Sequence, residues 1–256
     1  MRIATWNVNG VRARLQYILR WLAARKPDLV GLQKIRVPDG EFPTREFGSA
    51  GYHATAYCHK GEYGVGILSR RKPTVVRKGL PGQDDLGARL LTVAVDGLEL
   101  SSVYAPYGDV EGRARKLAWL KSLREHLAAT PPGSARRVLC GDFNVVPEDR
   151  DTSTGARNPN ALNFTDEERS ELSALLDAGF VDLYAHLHPD GHDRFTFWNY
   201  RWNRDTLRYG VRLDLILGTR RVVDRVRDVR VDMDYRKSID GLLPSECAPV
   251  IADLDD

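Results

Sequence analysis

Along the chain, apolar and polar positions alternate in short runs, and between those runs apolar residues recur at helical spacing. Arg2 to Val8 alternates as a strand, and Leu15, Ile18, Leu19 and Leu22 then keep one helical face until Lys26-Pro27 breaks the pattern. Leu29 to Leu32 is short and wholly apolar, which predicts a buried strand, and Tyr63 to Ser69 predicts another. In LLTVAVDGLELSSVYAP two β-rich runs flank Asp96-Gly97, a hairpin signal because both residues tolerate positive φ. A helical pattern covers Arg113 to Ala128 and leads through Pro131-Pro132-Gly133 into a strand at Arg137 to Cys140. Thr165 caps a further helix carrying Leu172 and Leu175, with Asp166, Glu167 and Glu168 at its positive end. Short strands are predicted at Arg194 to Trp198, Arg212 to Leu217 and Val229 to Val231. Strands interleaved with helices, hairpins among them, predict a mixed α/β sandwich rather than an all-parallel sheet.

Composition narrows this picture only a little. With 256 residues, 42% of them hydrophobic, the chain can bury a full core. No linker, repeat or low-complexity segment divides it, so residues 1–256 are expected to form a single domain. The net charge is +3 because 38 basic residues nearly cancel 35 acidic ones, so any attraction to nucleic acid must come from where charges cluster. Cys58, Cys140 and Cys247 are too few and too scattered for a disulfide framework or a zinc site, which fits a reducing compartment. The opening MRIATWNV enters a strand without a charged-then-apolar leader, and no apolar run approaches the roughly 20 residues of a membrane span. The expectation is a cytoplasmic, soluble protein with no membrane partner.

The candidate chemistry sits where strands end. WNVNG (Trp6 to Gly10), YAPYG (Tyr104 to Gly108), GDFNVVPEDRD (Gly141 to Asp151) and RLDLI (Arg212 to Ile216) each put a carboxylate, an amide or a phenol at or just after an apolar strand. Several strands can in this way aim polar groups at one point. Asn7 and Asn9 taken alone read equally well as turn residues. Asp142 and Asn144, on alternate residues of an extended segment, would face one side and could orient a water, although an Asx-turn closing a strand explains the same pair. Asp214 is the most informative residue, because a carboxylate in an apolar strand is expensive unless it is paired or functional. Its nearest structural partner by spacing is Arg212.

Taken together, WNVNG, LQ, YGVGILS, YAPYG, GDFN, FTFWNYR, RLDLIL and a C-terminal SxxAPV occur in the order and spacing of the exonuclease III family of abasic-site endonucleases, which the chain resembles from Met1 to about Leu254. The resemblance implies a four-layer α/β sandwich, two packed mixed β-sheets flanked by helices. It also implies an Mg²⁺-dependent (or Mn²⁺-dependent) enzyme that cuts double-stranded DNA beside abasic sites or trims 3′ ends, acting as a monomer. By resemblance Asn7 would help hold the metal or the scissile phosphate, and Tyr104 would contact the phosphate. Asp142 with Asn144 would align the attacking water, and Asp214 would orient a histidine near the C-terminus. Phe197, Val211 and Leu213 would form the apolar pocket for a flipped-out sugar, Val211 replacing a tryptophan. Tyr200, Arg201 and Trp202 match the family's DNA-contacting segment.

Two departures bear on activity. The family reads LQE where this chain has Leu32-Gln33-Lys34, and that glutamate is its principal metal ligand. An ammonium has no lone pair to offer Mg²⁺ and repels it. In SECAPV, Glu246 stands for the family's metal-binding Asp and Cys247 for its catalytic His, and no histidine follows His192. Losing a positioned acid-base group typically costs a factor of about 10² to 10⁴ in rate. The expectation is therefore a DNA-repair protein that binds abasic or damaged duplex DNA with hydrolysis lost or severely weakened. The alternative is an active Mg²⁺-dependent endonuclease or 3′–5′ exonuclease whose metal site is rearranged around Glu246. Lys34 itself reads either as an exposed lysine on an emerging strand or as a cation placed where the metal belongs. Between Arg201 and Arg230 nine arginines face four aspartates; Arg220 to Arg230 reads as a solvated face.

Overall fold

The computed structural model describes residues 1–108, 112–129, 135–153, 163–191, 194–198 and 210–255. In chain order the elements are β1 (Arg2–Asn7), α1 (Leu15–Arg25), β2 (Leu29–Gln33), α2 (Thr44–Ser49), β3 (His53–Tyr57), β4 (Val65–Ser69), β5 (Thr74–Lys78), β6 (Leu90–Val95), β7 (Leu98–Tyr104), α3 (Arg113–Ala128) and β8 (Arg136–Asp142). They continue with α4 (Asp166–Asp177), β9 (Phe180–Asp182), α5 (Leu183–Leu187), β10 (Phe197–Trp198), β11 (Gly210–Val211), β12 (Asp214–Thr219), α6 (Arg220–Val223), β13 (Val226–Val231) and β14 (Val250–Leu254).

Twelve of these strands make two six-stranded sheets, ordered β13-β14-β1-β2-β4-β3 and β5-β6-β7-β8-β12-β9. Each sheet has one parallel pair, β1 with β2 and β7 with β8, and is otherwise antiparallel, so both are mixed. The central strands are buried on both faces, which is why they read as apolar runs rather than clean alternation. Ile3, Leu29 and Ile67 of one sheet meet Leu91, Leu100, Val138 and Ile216 of the other in the core between them. The outer face of the first sheet, through Ala4, Val30, Leu68 and Ile251, is covered by Tyr17, Ile18, Trp21 and Leu22 of α1. The outer face of the second, through Leu90, Val103, Leu139 and Leu215, is covered by α3 and α4. The result is helix, sheet, sheet, helix: the four-layer sandwich that the resemblance implied.

Local rules explain several of these elements to the residue. Asp96 and Gly97 have φ +48° and +73° and close the β6–β7 hairpin. Thr165 accepts from the Glu168 amide while Glu168 reaches back to the Thr165 amide, a reciprocal capping box that starts α4. The predicted strand at Arg194 to Trp198 shortens to β10, and that at Arg212 to Leu217 shifts to β12. At the start of the predicted strand the Arg212 backbone N–H donates to Asp151 O at 3.0 Å, and the β8 ladder begins at Asp214. No helix among the described residues is long and apolar enough to cross a membrane.

Candidate active site

Three neighbouring strands of the second sheet set three polar side chains side by side. The parallel register pairs Tyr104 at the end of β7 with Asp142 at the end of β8, and the antiparallel register pairs Asp142 with Asp214 at the start of β12. Asn7, ending β1 in the facing sheet, reaches across and donates its amide to Asp142 Oδ2 at 2.8 Å. The other carboxylate oxygen accepts from the backbone N–H of Asn144 at 2.9 Å. Asn144 has φ +50°, so the segment is not extended as the sequence suggested: it is a turn of Asx type that ends the strand. The turn also does work for the site, because Asn144 Nδ2 donates to Ala105 O at 2.8 Å and the side-chain oxygen is thereby oriented. Asn7, Tyr104, Asp142, Asn144 and Asp214 are all buried.

Asp214 is the unbalanced member. Among the described residues neither of its oxygens has a hydrogen-bond partner of normal geometry. Arg212 does not serve it, contrary to the spacing argument. Its guanidinium pairs with Asp151 at 2.8 Å and with Asp182 at 2.5 Å. Burial, and then the charge of Asp142 opposite, push the Asp214 carboxyl well above the usual range; the Thr196 hydroxyl and Cys247 thiol beside it offset this only in part. Burial likewise raises Asp142, against the pull of Asn7, Asn144, Lys34 and Lys116. Tyr104 is raised by burial and by Asp142, so it stays a phenol able to donate its O–H. Cys247, 2% exposed, is pushed up by burial and by Asp214, and is therefore a neutral thiol where a histidine would have carried charge.

Lys34 lies at the exit of β2 in the left-handed region, φ +54°, with its carbonyl accepting from Gly10 at 2.8 Å. The loop after β1 thus holds its backbone, and the next residue, Ile35, donates to the Gly64 carbonyl at 3.2 Å. Among the described residues its ammonium makes neither an ion pair nor a hydrogen bond, yet its charge pulls down both Asp142 and Cys247. The side chain is half-buried. Glu246 accepts from Asn9 Nδ2 at 3.2 Å, and its charge opposes that of Lys34 on Cys247. Ser245, which spacing did not single out, ties this loop to β1 by donating to Asn7 O at 2.6 Å and accepting from the Cys247 amide at 3.3 Å. Lys34, Glu246 and Cys247 accordingly meet at one centre.

The donor set does not suit a hard divalent cation. Each Asp142 oxygen already accepts a hydrogen bond, Asp214 is held toward its neutral acid, Glu246 accepts from Asn9, and the positive charge of Lys34 acts on Asp142. No group of three or more His, Cys, Asp or Glu capable of holding a metal exists among the described residues.

Beside Cys247, the Phe197 backbone bridges to it and also pairs with Val211. Phe197 and Val211 are half-buried and offer apolar surface there, whereas Leu213 is 3% exposed and offers almost none. Tyr200, Arg201 and Trp202 lie outside the described residues. Sequence spacing also missed Lys116, fully buried on α3. It donates to the Asn144 carbonyl, to Asn163 Oδ1 at 2.9 Å and to Glu168 Oε1 at 2.7 Å, and so holds the Asn144 turn from below. A lysine on an amphipathic helix gives no such signal.

Against known proteins the likeness spans the chain. The endonuclease/exonuclease/phosphatase family matches residues 4–237. Exodeoxyribonuclease III of Haemophilus influenzae is 29% identical over 268 residues, covering 99% of each chain. The structure of an AP endonuclease from Archaeoglobus fulgidus superposes with a TM-score of 0.90 at 32% identity, each chain covered completely. A 3′ phosphatase from Neisseria, NExo, bound to a product DNA hairpin, superposes at 0.91 and 31% identity over 100% of this chain and 99% of the other. This chain belongs to the endonuclease/exonuclease/phosphatase family, within its exonuclease III group of abasic-site endonucleases.

Proposed function

We propose that this protein binds abasic or otherwise damaged duplex DNA, or its 3′ ends, and that metal-dependent hydrolysis of the phosphodiester is lost or severely weakened. One observation carries the reading: Lys34, whose ammonium makes no ion pair among the described residues, stands at the position where the family carries a metal-binding glutamate, and its charge lowers the Asp142 carboxyl. Coulomb attraction in a partly desolvated cleft favours a phosphate oxygen there over a divalent cation. Tyr104, held as a phenol, supplies an O–H to the same phosphate, and the apolar Phe197–Val211 surface takes a sugar that lacks its base. The DNA hairpin bound by the Neisseria relative supports the substrate class. No step is assigned to Mg²⁺ or Mn²⁺, because the donors present are already engaged or of the wrong charge.

The test is a duplex carrying one tetrahydrofuran abasic analogue, incubated with Mg²⁺, with Mn²⁺ and with chelator, with binding and strand cleavage followed together. Binding without cleavage, converted to metal-dependent cleavage by Lys34→Glu with Cys247→His, is expected. Metal-dependent cleavage by the unaltered protein at the rate of an active relative would sink the reading in favour of a metal site rearranged around Glu246.

A further inference from the structure

We infer that Thr5, Gln33 and Ser102 are positioning residues: their hydrogen-bonded chain, one step below the site, sets the gap across which Asn7 of one sheet meets Asp142 of the other. The inference rests on the reading that this cleft binds abasic DNA, since Asn7, Tyr104 and Asp142 are the groups whose alignment it governs. Alternate residues of a strand share a face, so the inward faces of four strands can be followed down from the site. Below Asn7 on β1 come Thr5 and Ile3, and below Gln33 on β2 come Gly31 and Leu29. Below Tyr104 on β7 come Ser102 and Leu100, and below Asp142 on β8 come Cys140 and Val138. Ile3, Leu29, Leu100 and Val138 belong to the apolar core between the sheets. A polar tier therefore separates that core from the site.

Thr5, Gln33 and Ser102 are each 0% exposed and linked in a chain. Thr5 Oγ1 donates to Gln33 Oε1 at 3.2 Å, Gln33 Nε2 donates to Ser102 Oγ at 3.0 Å, and Ser102 Oγ donates to the Leu32 carbonyl at 3.2 Å. The last two bonds join β2 of one sheet to β7 of the other. Gln33 stands level with Asn7 in the β1–β2 register, and Tyr104 level with Asp142 in the β7–β8 register. The Gln33–Ser102 bond between β2 and β7 is thus the neighbour of the Asn7–Asp142 bond between β1 and β8, which is 2.8 Å long. Gly31 leaves room for the tier: a Cβ there would lie 2.7 Å from Cys140 Sγ, 3.2 Å from Ser102 Oγ and 3.3 Å from Gln33 Nε2. Apolar packing is non-directional, whereas a hydrogen bond fixes both a distance and a direction. A buried bond of set length beside the Asn7–Asp142 contact therefore holds the two sheets at the separation which that contact needs.

Thr5→Val and Thr5→Ser separate hydrogen bonding from packing, because the first keeps the shape and removes the hydroxyl while the second keeps the hydroxyl and leaves a small cavity. Two readouts apply to each variant. One is the NMR signal of the Asn7 side-chain amide, identified by its loss in Asn7→Ala. The other is the ratio of affinities for a tetrahydrofuran abasic-analogue duplex and an intact duplex. We expect Thr5→Val to move the Asn7 signal and lower the ratio, and Thr5→Ser to do neither. Thr5→Val with Gln33→Leu and Ser102→Ala strands no polar side chain of the chain, so its urea midpoint should stay near that of the unaltered protein. Its affinity ratio should nevertheless fall about tenfold, because misplaced groups lose their alignment on the ligand. Larger effects from Thr5→Ser than from Thr5→Val would show a packing role alone and overturn the inference. An unmoved Asn7 signal in a folded Thr5→Val or triple variant would overturn it too, and so would an unchanged affinity ratio in a protein that prefers the abasic duplex. Binding of neither duplex by the unaltered protein would overturn the DNA reading alone, since the Asn7 signal is recorded without DNA and still upholds or overturns the positioning role.

Discussion

At the scale of single residues, two buried ionisable groups make opposite contributions. Lys116 and Glu168, 0% and 2% exposed, are 2.7 Å apart, and Asn144 and Asn163 satisfy further hydrogens of the ammonium. Removing one partner leaves a buried charge uncompensated, so Lys116→Met should cost about 3–5 kcal/mol, read as a lowered urea midpoint. Lys116→Met with Glu168→Leu should recover part of that loss, because no charge is then stranded. Asp214 is the reverse case, raised by burial and by Asp142, with no side-chain hydrogen bond of normal geometry among the described residues. Its folded form binds its proton more tightly than the unfolded chain does, so it favours folding least once pH rises through the raised value. Asp214→Asn should therefore stabilise the protein at about pH 8, by roughly 1–3 kcal/mol, and by less at about pH 5. Urea titrations at the two values check the sign; a gain that grows on acidification would refute it.

At the scale of elements, the parallel pair β7–β8 carries Tyr104 and Asp142 and has little tolerance. A Cβ on Gly141, at φ +149°, would lie 2.0 Å from the Val103 carbonyl oxygen on β7. That atom is backbone and cannot swing aside, so Gly141→Ala must part the two strands. The cost should exceed the roughly 1–3 kcal/mol of ordinary overpacking, seen as a collapse of soluble yield or of the melting temperature. Elements governed by local rules were legible in the sequence: the Asp96-Gly97 hairpin, the α3 helix and the Thr165 cap. Elements defined by their neighbours were not. β5 is an edge strand with exposed Val75 and Val76 and no alternation, β9 is three residues long, and β14 is specified by pairing between β13 and β1. The site divides likewise: Tyr104, Asp142 and Asp214 announce themselves as polar groups ending apolar strands. The support of Asn144 by Lys116 and of Asn7 by Ser245 spans sequence separations of 28 and 238 residues, which no periodicity encodes. The Asp142–Asn144 pair also shows that a turn and a site are compatible readings, since the bond that ends the strand is the one that fixes Asp142.

For the whole molecule, a net charge of +3 says little until the charges are placed. Around β13 and β14 the arginines are neutralised locally: Arg230 by Asp228 and Asp253, Arg2 by Asp253 at 2.6 Å, and Arg227 by Asp255. Much of the charge on the solvated face that the sequence suggested for Arg220 to Arg230 is thus paired within the protein. Lys34 in the cleft has no such partner among the described residues, so a phosphate bound there would displace counter-ions from DNA without breaking an ion pair in the protein. Each phosphate neutralised contributes about −0.9 to the slope of log affinity against log salt. Lys34→Ala should therefore flatten that slope by about one unit, and Arg227→Ala should leave it unchanged, although both remove one positive charge. Fluorescence anisotropy of an abasic-analogue duplex over roughly 50 to 200 mM salt separates the two. Equal flattening by both variants would mean that affinity follows total charge, and that the cleft is not where the phosphate sits.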